Sequence, residues 1–307
     1  MARGSAGESV LHKHLRILDA FEARRPFLTL TEIADAADLS MSTAHRLVGE
    51  LEREGLLERL PDRSYRLGVR LWEFASRTPG AIGLRELARP WLAAVHSRVR
   101  QHTQLGVLAG RDVLFVERMS TRDAVVNATL IGGRIPLPVS SSGLVLLAHA
   151  EPRLVDEVVA AGWPEYTAHT PRGAGVLRAL LRRVRVDGYA CTEGFIHEES
   201  RGIAVPVVGP HGVVYAALGV VVPNDGAPIQ GIVEVLAVAS RQITEALRDA
   251  YLPDAGATGR NEPHGIDPLV STSLRSLAYF ETHPEPGRRV ESRDSDARAR
   301  RPGTATA

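Results

Sequence analysis

The stretch of sequence that decides the fold lies at residues 28–68 and reads LTLTEIADAADLSMSTAHRLVGELEREGLLERLPDRSYRLG. Thr29 and Glu32 have the spacing of a capping box, in which the hydroxyl and the carboxylate each accept a hydrogen bond from a free backbone N–H. Apolar residues follow at helical spacing, namely Leu30, Ile33, Ala34 and Ala37. The pattern predicts a short amphipathic helix that begins directly after Thr29.

A second helix is predicted after a turn at residues 38–40, because Ser40 is a residue type that caps helix N-termini. Its apolar positions should face the core, and these are Ala44, Leu47, Val48 and Leu51. Its polar positions lie on other faces, and these are Ser42, Thr43, His45 and Arg46. Hydroxyl side chains at a helix start can reach phosphates or base edges, and Arg46 can pair with guanine or with a phosphate. Gly55 is expected to end this helix.

A hairpin follows, since residues 56–60 and 64–67 have the composition of short strands and flank the turn signal Pro61-Asp62-Arg63. Two helices joined by a tight turn and followed by a hairpin indicate a winged helix-turn-helix, whose second helix fits the major groove of DNA. Arg63 at the tip of this wing is expected near the DNA backbone or the minor groove. The sequence therefore predicts a DNA-binding domain before any chemistry is considered.

The charge of the chain gives no independent sign of DNA binding. Its 307 residues include 37 basic and 36 acidic side chains, for a formal net charge of +1. Residues 1–78 hold 12 basic and 12 acidic residues, so this part has no net charge. A DNA-binding face would need segregated charge, with arginines toward DNA and the neighbouring glutamates away from it. These glutamates are Glu50, Glu52, Glu54 and Glu58.

The composition is that of a globular protein with a sizeable core, because 44% of the residues are apolar and 24% are charged. A length of 307 residues favours two domains. The single cysteine, Cys191, excludes a disulfide framework, and the N-terminus lacks the apolar run of a signal peptide. Since no apolar segment has membrane-spanning length either, we expect the protein in the cytoplasm.

The pattern changes after residue 103, where apolar strands and helices alternate. The remaining predicted helices cover residues 9–25, 69–77, 84–101, 144–148, 154–161, 176–186 and 229–251. The predicted strands cover residues 104–108, 113–116, 125–131, 203–208 and 213–222. This order indicates an α+β domain in which helices cradle an antiparallel sheet.

Four segments follow from these patterns. We expect a winged helix-turn-helix domain at residues 9–68, a helical linker at 69–83, an α+β domain at 84–252 and a disordered tail at 253–307. The tail is rich in Pro, Gly, Ser, Thr and Arg and has few large apolar residues, which is typical of disorder.

The order of four sequence blocks resembles the IclR family of bacterial transcription regulators. The blocks read LTEIADAADLSMSTAHRLVGELEREGLLER (30–59), GGRIPLPVSSSGLVLLA (132–148), DGYACTEGFIHEESRGIAVPV (187–207) and GVVYAALGVVVPND (212–225). The resemblance implies a winged helix-turn-helix joined by a helix to an effector-binding domain similar to GAF and PAS domains. It also implies dimers or tetramers paired through the N-terminal domains and the linker, which repress or activate genes in response to small organic molecules. The partners would be operator DNA, a small-molecule effector and further copies of the chain.

By this resemblance, DNA contacts fall on the second motif helix and the wing, at Ser40, Ser42, Thr43, His45, Arg46 and Arg63. The effector pocket falls on the loop before the short helix and on the inner faces of the last strands, at Ser140, Ser141, Ser142, Cys191, Ile203, Gly219 and Val221. The three serines precede the predicted 144–148 helix, and hydroxyls with free backbone N–H groups at a helix N-terminus suit a carboxylate. We therefore expect a small organic acid as the effector.

Two departures from the family pattern indicate a more apolar pocket. Many members carry Gly-Lys where this chain has Gly143-Leu144, and some carry serines where Gly219 and Val221 stand. Without those polar groups, the pocket favours an aromatic or otherwise larger acid over a two-carbon acid.

Other chemistry has weaker support in the sequence. A cysteine nucleophile at Cys191 would need a neighbouring base and an orienting group, which the spacing to Glu193 and His197 alone does not establish. His197, Glu198 and Glu199 lack the ligand spacing of known metal sites, and no glycine-rich nucleotide loop occurs. We expect no cofactor, no metal and no catalysis. Two alternatives stay open, namely an enzyme that uses the cleft around Cys191 and a scaffold that binds protein through its helices.

Overall fold

The computed structural model describes residues 8–22, 25–76, 81–209 and 212–251. Its N-terminal part contains three helices, α1 (Val10–Asp19), α2 (Leu30–Ala36) and α3 (Met41–Arg53), and a hairpin of β1 (Leu57–Arg59) and β2 (Tyr65–Leu67). The predicted order of two motif helices and a wing is therefore confirmed. The tail at 253–307, for which we expect disorder, lies outside the described residues.

Both motif helices begin at the predicted caps. Glu32 accepts a hydrogen bond from the Thr29 N–H at 2.8 Å, and the Thr29 hydroxyl accepts one from the Glu32 N–H at 3.4 Å. The hydrogen bonds that Thr29 donates, that of its backbone N–H first, hold the pKa of the Glu32 carboxyl below its usual range. The Ser40 hydroxyl accepts a hydrogen bond from the Thr43 N–H at 3.4 Å and so caps α3.

The first helix is shorter than predicted. It ends at Asp19 rather than near Arg25, and the chain then turns back toward the hairpin, with the Arg25 N–H donating to the Glu22 carbonyl oxygen at 2.9 Å. Pro26 in addition disfavours helical backbone at Arg25. Leu28 then pairs with Tyr65 through two backbone hydrogen bonds of 3.0 and 2.7 Å. This pairing fastens the segment after α1 onto the wing.

The second part of the chain is built on a six-stranded antiparallel sheet with the strand order β5-β4-β3-β8-β7-β6. The strands are β3 (His102–Ala109), β4 (Asp112–Met119), β5 (Arg134–Pro136), β6 (Ala190–Glu193), β7 (Ser200–Val208) and β8 (Val214–Pro223). The helices are α4 (Val69–Ser76), which lies in the predicted linker, then α5 (Ala81–Val99), α6 (Ser141–Ala148), α7 (Pro152–Ala161), α8 (Gly173–Asp187) and α9 (Gln230–Tyr251). A 3₁₀ turn at Leu137–Val139 leads directly into α6. The predicted α+β domain is confirmed, while β5 and β6 escaped prediction because three and four residues are too few for a periodic pattern.

Helices cover both faces of this sheet. On one face, α5 and α9 pack against Leu105, Ile203 and Leu218, all fully buried. On the other face, α6 and α8 belong to a core that includes Phe115 and Ala204. Since successive strand residues point to opposite faces, a shift of one residue moves a side chain from one helix layer to the other.

The predicted strand at residues 125–131 is wrong, because this segment forms a loop whose backbone groups bind side chains. The Val125 N–H donates to Gln101 Oε1 at 2.9 Å, and the Thr129 N–H donates to Asn127 Oδ1 at 3.0 Å. These bonds use N–H groups that a strand would offer to a neighbouring strand. We call this segment the 125–131 loop.

The first turn of α6 lies very close to its neighbours. A Cβ atom on Gly143 would lie 2.1 Å from the Leu137 carbonyl oxygen, and one on Gly202 would lie 2.8 Å from the Ser141 hydroxyl oxygen. At distances below 3.0 Å the neighbouring atom must shift, which a backbone carbonyl such as that of Leu137 cannot do easily but a side-chain hydroxyl can. Glycine at both positions therefore allows α6 to dock against the 3₁₀ turn and β7.

We expect Gly143→Ala to destabilise the fold by about 1–3 kcal/mol or more, because its methyl group would overlap a backbone carbonyl that cannot rotate away. The control is Gly231→Ala in α9, where a Cβ meets no atom within 4 Å. That variant should be neutral or stabilising, since alanine favours a helix more than glycine does. Urea unfolding followed by circular dichroism measures both, and equal stabilities would contradict the close docking of α6.

Candidate functional site

One face of α3 is exposed and the other is buried. The predicted core positions are all buried, namely Ala44, Leu47, Val48 and Leu51. Ser42, His45 and Arg46 are exposed, and Thr43 is half-buried. Gly49 extends the exposed face at helical spacing from Arg46, a signal that the sequence interpretation overlooked. A Cβ there would meet no atom within 4 Å, so the face is flat enough for close approach by another backbone.

Three hydroxyl groups cluster at the start of α3. The Ser40 hydroxyl donates to Thr43 Oγ1 at 2.9 Å, and its oxygen lies 3.3 Å from Ser42 Oγ. The free N–H groups and the dipole of a helix favour anions at its N-terminus. The arrangement is suited to a phosphate of a nucleic-acid backbone.

Arg46 is held by a carboxylate from its own helix. Its Nη1 donates to Glu50 Oε1 at 2.6 Å, while Glu50 Oε2 lies 3.0 Å from His14 Nε2 of α1. We expected Glu50 to face away from the arginines, and the structure corrects this. Residues four apart on a helix are neighbours, so Glu50 lies on the side of α3 that carries Arg46.

The wing presents an exposed arginine at its tip, Arg63, that has no charged partner among the described residues. The turn at its tip is held by Asp62, whose Oδ1 accepts hydrogen bonds from the Ser64 hydroxyl at 2.7 Å and the Ser64 N–H at 2.9 Å. These two bonds, the hydroxyl's first, lower the pKa of the Asp62 carboxyl. Arg66 donates to Glu58 at 2.9 Å, whereas exposed Arg63 has no ion pair within the described part of the chain. Arg63 is therefore available to an external anion.

A cavity of about 100 Å³ lies between the sheet, the first turn of α6 and the 125–131 loop. Three of the predicted pocket residues line it, namely Ser140, Ser141 and Val221. Further walls come from residues that the sequence interpretation did not select, namely Gln104, residues 126–129, Ile135, Val139, Thr192, residues 195–197, Ser200 and Gly202. The cavity thus combines an apolar middle with polar groups at its edges.

Gln104 organises one polar edge of the cavity. Its Oε1 accepts hydrogen bonds from the Thr129 hydroxyl at 2.7 Å and from Asn127 Nδ2 at 3.2 Å. Gln104 is almost fully buried in β3, directly before the apolar part of that strand. A buried amide in such a strand needs partners, and this signal could have identified it from the sequence.

The N-terminus of α6 forms another polar edge. The Ser140 hydroxyl accepts the Gly143 N–H at 3.1 Å, while the preceding N–H groups of the helix have no partner within it. His197 also lines the cavity, and its Nδ1 is buried without a hydrogen-bond partner among the described residues. These donors suit a negatively charged group.

The remaining predicted pocket residues lie outside the cavity wall. The Ser142 hydroxyl is buried next to Gly219, where a Cβ would lie 3.2 Å from it. Cys191 and Ile203 contact the core under α5 and α9 instead. The alternation of strand side chains explains this, because Thr192 and Gly202, one residue further along, face the cavity.

Cys191 lines a different groove of about 500 Å³ along β6, together with His169 and Glu193. Burial, and then the charge of Glu193, raise the pKa of the thiol to about 11. The thiol makes no hydrogen bond to a base in the described residues. A protonated thiol without a base is a poor nucleophile.

Two further points concern only the residues that the structure describes. Among them, no three His, Cys, Asp or Glu side chains come together as metal ligands would. None of their helices has both the length and the apolar character needed to cross a bilayer.

Family models match most of the chain. The IclR helix-turn-helix domain matches residues 10–61, and the bacterial transcriptional regulator IclR C-terminal model matches residues 78–245. The HTH-type transcriptional regulator XynR of Escherichia coli (strain K12) is 32% identical over 212 residues, which are 68% of this chain and 83% of XynR. The Pca regulon regulatory protein of Pseudomonas putida is 27% identical over 216 residues, 68% of this chain and 72% of that protein.

A solved structure resembles the chain over both parts. It is the crystal structure of an IclR homolog complexed with 4-hydroxybenzoate from Microbacterium hydrocarbonoxydans, with a TM-score of 0.74 and 42% sequence identity. The match covers 78% of this chain and 99% of that one.

We expect Cys191 to react with a thiol reagent at pH 7.5 roughly a hundredfold more slowly than in the unfolded chain, because the raised pKa lowers the thiolate fraction. The chain has one cysteine, so the signal has a single source. The release of thionitrobenzoate from Ellman's reagent measures the rate, and the same chain in guanidinium chloride is the control. Comparable rates would revive the enzyme alternative.

Proposed function

Because the chain belongs to the IclR family, whose members are DNA-binding transcriptional regulators with a ligand-binding C-terminal domain, we propose that α3 and the wing read its operator. The observation that carries this proposal is the exposed face of α3, with its hydroxyl cluster and Arg46 above a buried apolar face. Phosphate contacts then fall to Ser40, Ser42, Thr43 and the wing residue Arg63. Base contacts fall to Arg46 and His45, further along the helix.

The effector in this proposal is a small aromatic acid. The cavity of about 100 Å³ is smaller than the roughly 150 Å³ cavity that can hold benzene, so the 125–131 loop would shift outward to admit an aromatic acid. The carboxylate would bind the N-terminus of α6 beside Ser140 and Ser141, and a ring hydroxyl would bind the edge formed by Gln104 and Thr129. The 4-hydroxybenzoate bound by the 42% identical homolog supports this class of ligand.

The proposed pocket differs in part from the set expected from the sequence. It keeps Ser140, Ser141 and Val221 and adds Gln104 and His197 from the cavity wall. Ser142 and Gly219 support this wall from beneath. Cys191 and Ile203 are left out, because their side chains belong to the other face of the sheet.

We further propose that the protein works as a regulator without catalysis of its own. Its relatives are transcriptional regulators, and the high pKa of Cys191 disfavours the thiol chemistry that the enzyme alternative needs. A scaffold that binds only protein would show no DNA affinity at low salt, which the assay below tests. A protein that binds operator DNA works where the bacterial chromosome is, so we propose a cytoplasmic location.

Self-association completes the proposal. Large apolar side chains remain exposed on α1 and α4, namely Val10, Leu11, Leu15, Val69 and Trp72. Exposed apolar patches are typical of surfaces that a partner covers. We propose a homodimer or homotetramer that pairs through these side chains. In this proposal the chain divides into the DNA-binding domain at residues 9–68, the linker at 69–83 and the effector-binding domain at 84–252. The acid would then shift the spacing of the paired DNA-binding domains through the linker helices.

Arg46→Ala should weaken operator binding by about 1–3 kcal/mol if the guanidinium reads a base. Fluorescence anisotropy against the upstream intergenic DNA and a scrambled sequence, across a salt series, measures this loss. The wild-type protein should prefer the upstream DNA, with affinity falling as salt rises. Arg25→Ala is the matched control, because it removes the same charge from an exposed pair with Glu32. An unchanged preference in Arg46→Ala would remove the proposed base contact.

Ser141→Trp should abolish the response to 4-hydroxybenzoate and leave DNA binding intact, because the indole would fill the cavity of about 100 Å³. Release of labelled operator DNA by the acid is the measurement. Val221→Phe fills the cavity from the sheet side and guards against misfolding of the first variant. Cys191→Ala, on the other sheet face, should respond normally. A normal response in both cavity variants would rule out this pocket.

A further inference from the structure

We infer that Glu50, anchored by His14, is a positioning residue that fixes Arg46 for base reading and raises the specificity of DNA binding. This inference rests on the proposed function, in which Arg46 contacts a base. It gives a role to Glu50 and His14, neither of which is among the residues proposed to contact DNA.

The geometry forms a chain of three side chains from two helices. Glu50 uses one carboxylate oxygen for Arg46 Nη1 at 2.6 Å and the other for His14 Nε2 at 3.0 Å. His14 lies on α1, 36 residues before Glu50 in the sequence. The carboxylate is therefore held from both sides and cannot turn away from Arg46 without losing the bond to His14.

Exposure falls along this chain from Arg46 toward the core. The side chain of Arg46 is 57% exposed, that of Glu50 is 31% exposed and that of His14 is 18% exposed. A solvent-exposed pair four residues apart on a helix contributes little by itself. The half-buried anchor distinguishes this pair, because it gives the carboxylate a fixed place from which to orient the arginine.

A fixed arginine loses less conformational entropy when it binds. Arginine has many rotamers, and ordering such a side chain at an interface weakens binding. Nη2 and Nε of Arg46 have no partner in the part of the chain that the structure describes, so they remain free for the two acceptors of a guanine edge. The bond to Glu50 thus occupies one side of the guanidinium and orients the other side toward the DNA.

The charge of Glu50 acts in the same direction. A carboxylate beside Arg46 neutralises its attraction for phosphates, which carry no sequence information. A hydrogen bond from the oriented guanidinium to a base edge depends on geometry, so this neutralisation weakens it less than it weakens the attraction for phosphates. Glu50 should therefore weaken binding to any DNA while it sharpens the choice among sequences.

Glu50→Gln is the test, with Glu54→Gln as the charge-matched control at the C-terminal end of the same helix. Glu54 pairs with Arg70 and does not touch Arg46. We expect Glu50→Gln to bind scrambled DNA more tightly and to lower the ratio of operator to scrambled affinity roughly three- to tenfold. Its salt dependence should also steepen. Glu54→Gln should keep the wild-type ratio.

Substitutions of His14 give a second test, in which one variant removes the bond to Glu50 and another restores it. His14→Ala removes the anchor and should lower the same ratio, whereas His14→Gln keeps a side-chain donor and should restore it. Thermal unfolding of each variant shows whether the fold survives. A merely structural link between α1 and α3 would change the unfolding temperature without changing the ratio, and that result would overturn the inference.

Arg46→Ala distinguishes a failure of the proposed base contact from a failure of the positioning role of Glu50. If Arg46→Ala keeps the preference for the operator, the base contact fails and the positioning role falls with it. If Arg46→Ala loses the preference while Glu50→Gln retains the wild-type ratio, the proposed function stands and the positioning role alone is overturned.

Discussion

The contact on which the C-terminal part of the structure depends is the docking of the first turn of α6 against the sheet. Gly143 lies over the Leu137 carbonyl, where a side chain would overlap backbone, and a Cβ on Gly202 would lie 2.8 Å from the Ser141 hydroxyl oxygen, which would have to move. Because these two glycines have no side chain, the N-terminus of α6 and its unpaired N–H groups can lie at the wall of the cavity of about 100 Å³. The serines and the glycine of residues 140–143 thus have a steric role as well as a chemical one.

Local signals predicted the winged helix-turn-helix and the sheet domain well, because each cap and apolar stripe acts within a few residues. Thr29, Ser40 and the core positions of α3 all fall where their patterns require. The lining of the cavity was predicted only in part. Choosing between Cys191 and Thr192 requires the face of a four-residue strand, which no periodic pattern reveals. The 125–131 loop escaped for another reason, since Gln101 lies 24 residues before the Val125 amide that it binds.

The N-terminal domain shows how a neutral domain can still present arginines selectively. Arg46, Arg66 and Arg70 are each paired with a glutamate, whereas exposed Arg53, Arg59 and Arg63 have no ion pair among the described residues. Paired arginines contribute little to the long-range attraction of DNA, so that attraction depends on the unpaired ones. A sequence in which acidic and basic residues balance can in this way still present positive charge at the end of α3 and on the wing.

Side-chain hydrogen bonds hold the 125–131 loop over the cavity. Their partners are Gln101, just before β3, and Gln104 within β3. Since no strand ladder holds this loop, it can open at a lower free energy than the core of the sheet. For a ligand that enters when the loop opens, the apparent dissociation constant equals the intrinsic one divided by the fraction of molecules that are open. A residue such as Gln101, which does not line the cavity, then affects the concentration at which that ligand acts. Selection could retune this concentration through the side chains that hold the loop and leave the cavity wall unchanged.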